Sequence, residues 1–331
     1  MAAVARNQLL RRPGAAVLLT LGIAAAYFAA GLIGFTQQLA VEGAVVTPLW
    51  PSTGIALACL LWFGLRAWPG VVLGALLVIL NVSSSARSIG ILVGNSVAPL
   101  CAYLMLRRVG FRTELDRLRD GLALVFLGAL AGMLISATVG SGLLLLSRDI
   151  HADAFWPIWS AWWVGDAMGV LVVTPLLLVC RTARWSGGAS PGRWAEAACL
   201  LVTVVVVAYA VTRSLVPLLF LVFPLLMWAA LRFQLSGAAP CALIVSVMAI
   251  SAATEELGPF EGHGTLGVMS VLQALNGSVA LTGLLLSAIV TEQITVRRKI
   301  ELACAELAEL VDRLVPGGDT AHRRPPPPED L

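Results

Sequence analysis

One carboxylate in this sequence stands where its neighbours leave no water for it. Asp166 lies within Trp156-Pro-Ile-Trp159-Ser-Ala-Trp162-Trp163-Val-Gly165-Asp166-Ala-Met-Gly169-Val-Leu-Val-Val-Thr174-Pro175. At 1.5 Å per helical residue it falls roughly 15 Å past Trp156, near the middle of a hydrocarbon core. A charge there costs several kcal/mol unless it faces protein or water and finds a partner. Such a carboxylate serves one of two ends: a hydrogen-bond acceptor that ties helices together, or a group that senses and switches with its proton. Gly165 and Gly169, four apart, leave a bare backbone strip for a closely packed neighbour.

Other polar groups occur in apolar surroundings. Asn95 is an expected partner for Asp166, with Gln273 and Asn276 able to take that part from a later segment. Convergent polar groups in an apolar bundle suit a small-ligand site, and equally suit interhelical bonding. Trp50, followed by Pro51, opens a helix at a membrane interface, where indole is comfortable and the missing proline N–H costs nothing. Trp163 belongs with it as a candidate for ligand binding or switching. In the loops, Asp149, His151 and Asp153, and Glu255, Glu256, Glu261 and His263, match no tight metal motif and read as solvated charges. No metal and no cofactor is expected. No Ser-His-Asp set, metallohydrolase helix or phosphate-binding loop is present, so no enzymatic activity is expected.

These groups must be positioned by a membrane protein. The chain has 331 residues, 59% hydrophobic and 12% charged, with mean hydropathy +0.89. That balance makes the lipid bilayer the solvent. The six cysteines, Cys59, Cys101, Cys180, Cys199, Cys241 and Cys304, form no CxxC pair and read as small buried hydrophobes. Apolar segments fall at 15–35, 52–64, 68–81, 88–106, 121–147, 157–180, 195–212, 215–231, 236–253 and 265–291. The second and third are short enough to form a re-entrant pair. The fold class is therefore an all-α polytopic bundle of about eight to ten transmembrane segments.

Arginines orient it. Arg66, Arg107, Arg108, Arg112, Arg117, Arg119, Arg181, Arg184, Arg193, Arg232, Arg297, Arg298 and Lys299 fall on one side, against Arg87, Arg148 and Arg213 on the other. By the positive-inside rule both termini are cytoplasmic, and the basic loops need no nucleic acid to explain them. The run after Arg12 is too long for a cleaved leader, and reads as a first helix preceded by a basic segment, 1–14. A faint parallel repeat also shows. Gly94-Asn95-Ser96-Val97-Ala98 echoes Asn276-Gly277-Ser278-Val279-Ala280, and Trp50 to Arg66 echoes Phe223 to Arg232.

After the membrane domain, 15–291, the residues from 292 to 315 are charged and helix-prone. Ile300, Leu307 and Leu314 are seven apart, with Ala303 and Leu310 offset by three, a short heptad able to self-associate through 291–315 or to meet a partner coiled coil. Pro316-Gly317-Gly318 breaks it, and the proline-rich tail to Leu331 reads as disordered.

Two stretches are more specific than hydropathy. Leu49-Trp50-Pro51-Ser52-Thr53-Gly54-Ile55-Ala56-Leu57 leads into Phe63-Gly64-Leu65-Arg66-Ala67-Trp68-Pro69-Gly70 and Leu73-Gly74-Ala75. Trp162-Trp163-Val164-Gly165-Asp166-Ala167-Met168-Gly169 follows, with Thr174-Pro175. Gly94-Asn95 lies between them, and Trp228 to Phe233 and Gly258-Pro259-Phe260 come later. In this order they resemble the membrane-associated sensor domain of the first class, the MASE family, over about residues 15–292. The resemblance implies a bacterial plasma-membrane input module of the kind that precedes a histidine kinase or diguanylate cyclase. No phosphoacceptor histidine or cyclase-like loop follows here, so the expectation is a sensory module acting through a partner kinase or cyclase. The alternative from the residues is a small-molecule transporter or its membrane subunit, suggested by the repeat and the midplane carboxylate.

Overall fold

In hydrocarbon a backbone satisfies its own N–H and C=O groups only by helical or closed-sheet bonding, so apolar runs of this length become helices. The computed structural model describes residues 13–41, 44–82, 86–182, 190–214, 216 and 218–314. The expected basic segment before residue 13 and the tail from 316 lie outside them.

The first half comprises α1 (Pro13–Phe35), α2 (Pro51–Phe63), α3 (Trp68–Val82), α4 (Ala86–Arg108), α5 (Leu118–Ala123) and α6 (Gly132–Leu146). The second comprises α7 (Phe155–Met168), α8 (Thr174–Thr182), α9 (Pro191–Arg213), α10 (Val222–Phe233), α11 (Leu235–Thr254) and α12 (Thr265–Leu314). A π-helical stretch, Leu124–Ala131, joins α5 to α6, and a second, Gly169–Val173, joins α7 to α8. A short antiparallel ribbon, β1 (Leu39–Val41) with β2 (Ala44–Val46), follows α1 and pairs Leu39 with Val46. The sequence did not signal it.

All ten apolar segments appear as helices, the eighth starting late as a 3-10 turn at Leu219. Among the described residues eight helices are long and apolar enough to cross a membrane, counting 51–82 as one. That one is in fact a hairpin broken at Gly64 (φ 67) and the 3-10 turn Gly64–Ala67. Both arms pack on α1, α2 antiparallel to it and α3 parallel. Ser52 donates its hydroxyl to the Tyr27 carbonyl, while Gly70, Gly74 and Val78 meet Ile23, Tyr27 and Gly31 in turn. At about 20 Å each, the arms fall short of the roughly 30 Å core, the lengths a re-entrant pair would have.

The second echo has a structural counterpart. α10 also ends on a left-handed residue, Gln234 (φ 52, ψ −143), close to the geometry of Gly64 (φ 67, ψ −154), and a new helix starts at once. At both breaks the capping N–H reaches back four residues, to Leu60 and Ala230.

The α7–α8 helix is the most buried of the candidate spans, and every residue from Gly165 to Val172 is buried. Around it stand α2, α6, α11 and α12. Large apolar side chains such as Leu18, Ile33, Leu80, Val202 and Val206 are exposed, forming an outward face suited to lipid. Arginines gather at one end of the bundle: Arg181 lies over the Trp62 and Phe63 rings, and Arg232 pairs with Glu196 at 2.7 Å. Trp50 and Trp156 lie at the other.

Candidate functional site at Asp166

α2 and α7–α8 run side by side in the same direction, and glycines let their backbones touch. The Trp50 N–H donates to the Gly165 carbonyl at 2.9 Å. A Cβ on Gly169 would lie 1.9 Å from the Trp50 carbonyl oxygen, and one on Gly54 would lie 2.2 Å from that of Gly169. The Thr174 hydroxyl closes the contact by donating to the Gly54 carbonyl at 3.0 Å. The two motifs read separately in the sequence, Trp50 to Gly54 and Gly165 to Gly169, are thus the two halves of one joint.

Asp166 sits at its centre, 3% exposed. The Thr53 hydroxyl on α2 donates to Oδ1 at 2.7 Å, and the Ser136 hydroxyl on α6 donates to Oδ2 at 2.5 Å. One carboxylate therefore binds three helices together. Trp162, one turn earlier on α7, approaches the same group, and its ring fills the space left by Gly140 on α6. No ion pair to Asp166 forms among the described residues.

Ser136 gives the cluster two settings. Its oxygen is also 3.0 Å from the Met133 carbonyl, yet a hydroxyl carries one hydrogen. With Asp166 ionised, Ser136 donates to it. With Asp166 protonated, the carboxyl O–H can donate to Ser136, whose own hydrogen then turns to Met133. The heavy atoms need not move for the proton to be held either way.

Tryptophans brace the same joint. The Trp163 indole donates to the Leu130 carbonyl at 2.8 Å, inside the first π-helical stretch, and Trp159 donates to the Thr138 hydroxyl at 3.1 Å. The two π-helical stretches touch each other just beyond. A π register within an α-helix recurs at functional positions, where it re-aims side chains. Trp50 lies edge-on to Phe35, with ring centroids 5.1 Å apart, and its side chain points to the buried Tyr27 hydroxyl.

Of the expected partners of Asp166, none is at its side. Asn95 is half-buried on α4, a helix that packs on α6, and it makes no hydrogen bond among the described residues. The expected contact fails because α4 meets the Ser136 helix through Gly94, not the Asp166 helix. Among the described residues Asn276, fully buried on α12, leaves both side-chain polar atoms unpaired, and the side chain of Gln273, half-buried one turn earlier, makes no hydrogen bond either. Thr53 and Ser136 were the residues missed. Thr53 stood in a quoted motif, but a hydroxyl in an apolar helix more often bonds its own backbone. Ser136 carried no signal of its own. The acidic and histidine-bearing loops hold no cluster able to bind a metal among the described residues.

A family model described as MASE1 matches residues 19–294 of the chain. No curated protein and no solved structure matches it.

Proposed function

The chain belongs to the MASE1 family of membrane-associated sensory domains, and on that premise we propose that the Asp166 joint is the sensing element of a bacterial plasma-membrane input module. The observation that carries this is the placement of one buried carboxylate where three helices meet, bonded by the Thr53 and Ser136 hydroxyls, of which Ser136 has two settings. A ligand or membrane cue that changes the Thr53–Asp166–Ser136 bonding favours one packing of α2, α6 and α7 over another, which is a population shift.

A physical route to the far end of the protein supports the reading. α5 and α6 form one interrupted helix, and α5 lies against α12, with Gly121 facing Leu285 and Ala288. At the N-terminus of α5 the Leu118 N–H donates to the Glu292 carboxylate on α12 at 3.0 Å. A carboxylate there satisfies a donor that the helix leaves unpaired. Movement of α6 at Ser136 thereby reaches α12 where it leaves the bundle. With both termini cytoplasmic, α12 hands the signal to a histidine kinase or diguanylate cyclase.

The test uses the full chain in native membranes with its output partner. Asp166→Asn keeps the shape and removes the charge, and Glu292→Gln keeps the shape and weakens the link. Asp166→Asn is expected to lock the output at one level, and Glu292→Gln to reduce its range several-fold. A response unchanged by Asp166→Asn, Asp166→Ala and Ser136→Ala would sink the assignment.

A further inference from the structure

α12 is a single helix of 50 residues, about 75 Å long, more than twice a roughly 30 Å hydrocarbon core. It is packed into the bundle as far as Val290, and beyond Thr295 every side chain to Val311 is exposed. Exposed there are Val296 (50%), Ile300 (58%), Leu307 (61%) and Leu310 (51%). With Ala303 they follow alternating spacings of four and three, the a and d positions of a heptad, and Ile289 extends the line into the bundle. A shallow groove along this face is lined by Glu292, Gln293, Val296, Arg297, Ile300 and Glu301.

We infer that this face is the interface with a second copy of the same chain, forming a parallel, in-register, two-stranded coiled coil. Two observations choose this occupant. The bilayer holds every copy at the same depth and in the same direction, so a second α12 presents Ile300 and Leu307 level with the first. Antiparallel pairing is excluded by the anchor, and confinement in one plane raises the effective concentration of the second strand. The flanking charges also fit. In a parallel pair a g residue faces the e residue five positions on in the other strand. Glu292 then faces Arg297 of the second copy, Lys299 faces Cys304, and Glu306 faces Val311. One pair is complementary and none is repulsive. Among the described residues Arg297 makes one ion pair, an exposed i, i+4 contact to Glu301 at 3.1 Å, a bond weak enough to exchange. Gln293 takes the a position nearest the bundle, where a polar residue fixes register.

The test is disulfide trapping of the full chain in membranes, with all six native cysteines replaced by alanine or serine as background and single cysteines at seam positions (Ile300→Cys, Leu307→Cys) or off the seam (Leu302→Cys). Seam cysteines are expected to give a covalent dimer of twice the chain mass at least tenfold faster than Leu302→Cys. Equal rates at all three positions, monomer only, or an adduct of another mass would overturn the proposal. A second variant guards against accidental collisions. Glu292→Arg should slow trapping at Leu307→Cys several-fold, and adding Arg297→Glu should restore it; failure of that rescue also counts against the pairing. None of these readouts requires Asp166 to sense anything; Glu292→Arg also breaks the Leu118 bond, so it is the comparison of Ile300→Cys and Leu307→Cys with Leu302→Cys that fails separately from the proposed function.

Discussion

Two regions of the bundle hold polar groups away from water, and they are built on opposite terms. Around Asp166 the carboxylate oxygens, both neighbouring hydroxyls and the Thr174 hydroxyl are all bonded, and three glycines bring two backbones into contact. Between α11 and α12 the polar groups are as deeply buried, but they are not paired. Ser246 and Asn276 are both 0% exposed and have no hydrogen-bond partner among the described residues. Gly283 faces Ala238 across this interface, and antiparallel register from that contact sets Asn276 level with Val245 and Ser246. The packing there is by alanine and glycine around a narrow apolar crevice lined by Leu171, Val172, Pro175, Ala242 and Ala280. One region fixes helices by specific bonds; in the other α12 lies against small side chains, with no side-chain hydrogen bond between α11 and α12 among the described residues.

The contrast is broken most severely at its tightest point. Gly169→Leu forces a side chain into the Trp50 carbonyl, and is expected to cost more than about 4 kcal/mol and to abolish a monodisperse product in detergent. Gly283→Ala, whose Cβ would sit 3.5 Å from that of Ala238, should purify like the parent. If both behave alike, the two interfaces are not different in kind.

Removing the polar groups separates the regions next. Asp166→Leu strands the Thr53 and Ser136 hydroxyls and should destabilise by about 2–4 kcal/mol in reversible detergent or denaturant unfolding. Asn276→Leu removes two unpaired polar atoms and is expected to be neutral or stabilising by about 1 kcal/mol in the same assay. A large loss with Asn276→Leu would mean that the amide is bonded in the working protein. Smaller again is Ser136→Ala, about 1 kcal/mol, with a loss of any pH-dependence in the output exceeding its effect on stability.

The smallest effect lies at the helix breaks. Gln234 holds a backbone conformation that its counterpart Gly64 reaches without strain. Gln234→Gly is expected to raise stability by about 0.5–1 kcal/mol, and Gly64→Ala to lower it by a similar amount. Thermal unfolding of the two variants beside the parent checks both signs.

The helices were legible because hydrocarbon enforces one rule on the backbone, and a run of apolar residues obeys it whatever surrounds it. That Asp166 needs partners was legible for the same reason: a charge in such a run is an exception. Its partners were not. Asn95 was favoured because an amide advertises its polarity, whereas Thr53 and Ser136 look like ordinary small helix residues. Which hydroxyls meet the carboxylate depends on α2 running parallel to α7 and α6 antiparallel to it, and no local pattern encodes that. The glycines marked close approach without naming their partners. The ribbon at 39–46 went unseen because three-residue strands are shorter than any periodicity can show.

The unbroken length of α12 turns small angles into large distances. About 33 Å of it extends past Glu292 to Leu314, so pivoting the helix there by roughly 5° carries the far end through about 3 Å, some half the rise of one helical turn. A small rearrangement in the bundle is therefore magnified at Leu314. On the proposed reading, a rigid arm with its fulcrum beside Glu292 would turn the loss or gain of a single hydrogen bond into a stroke of that size.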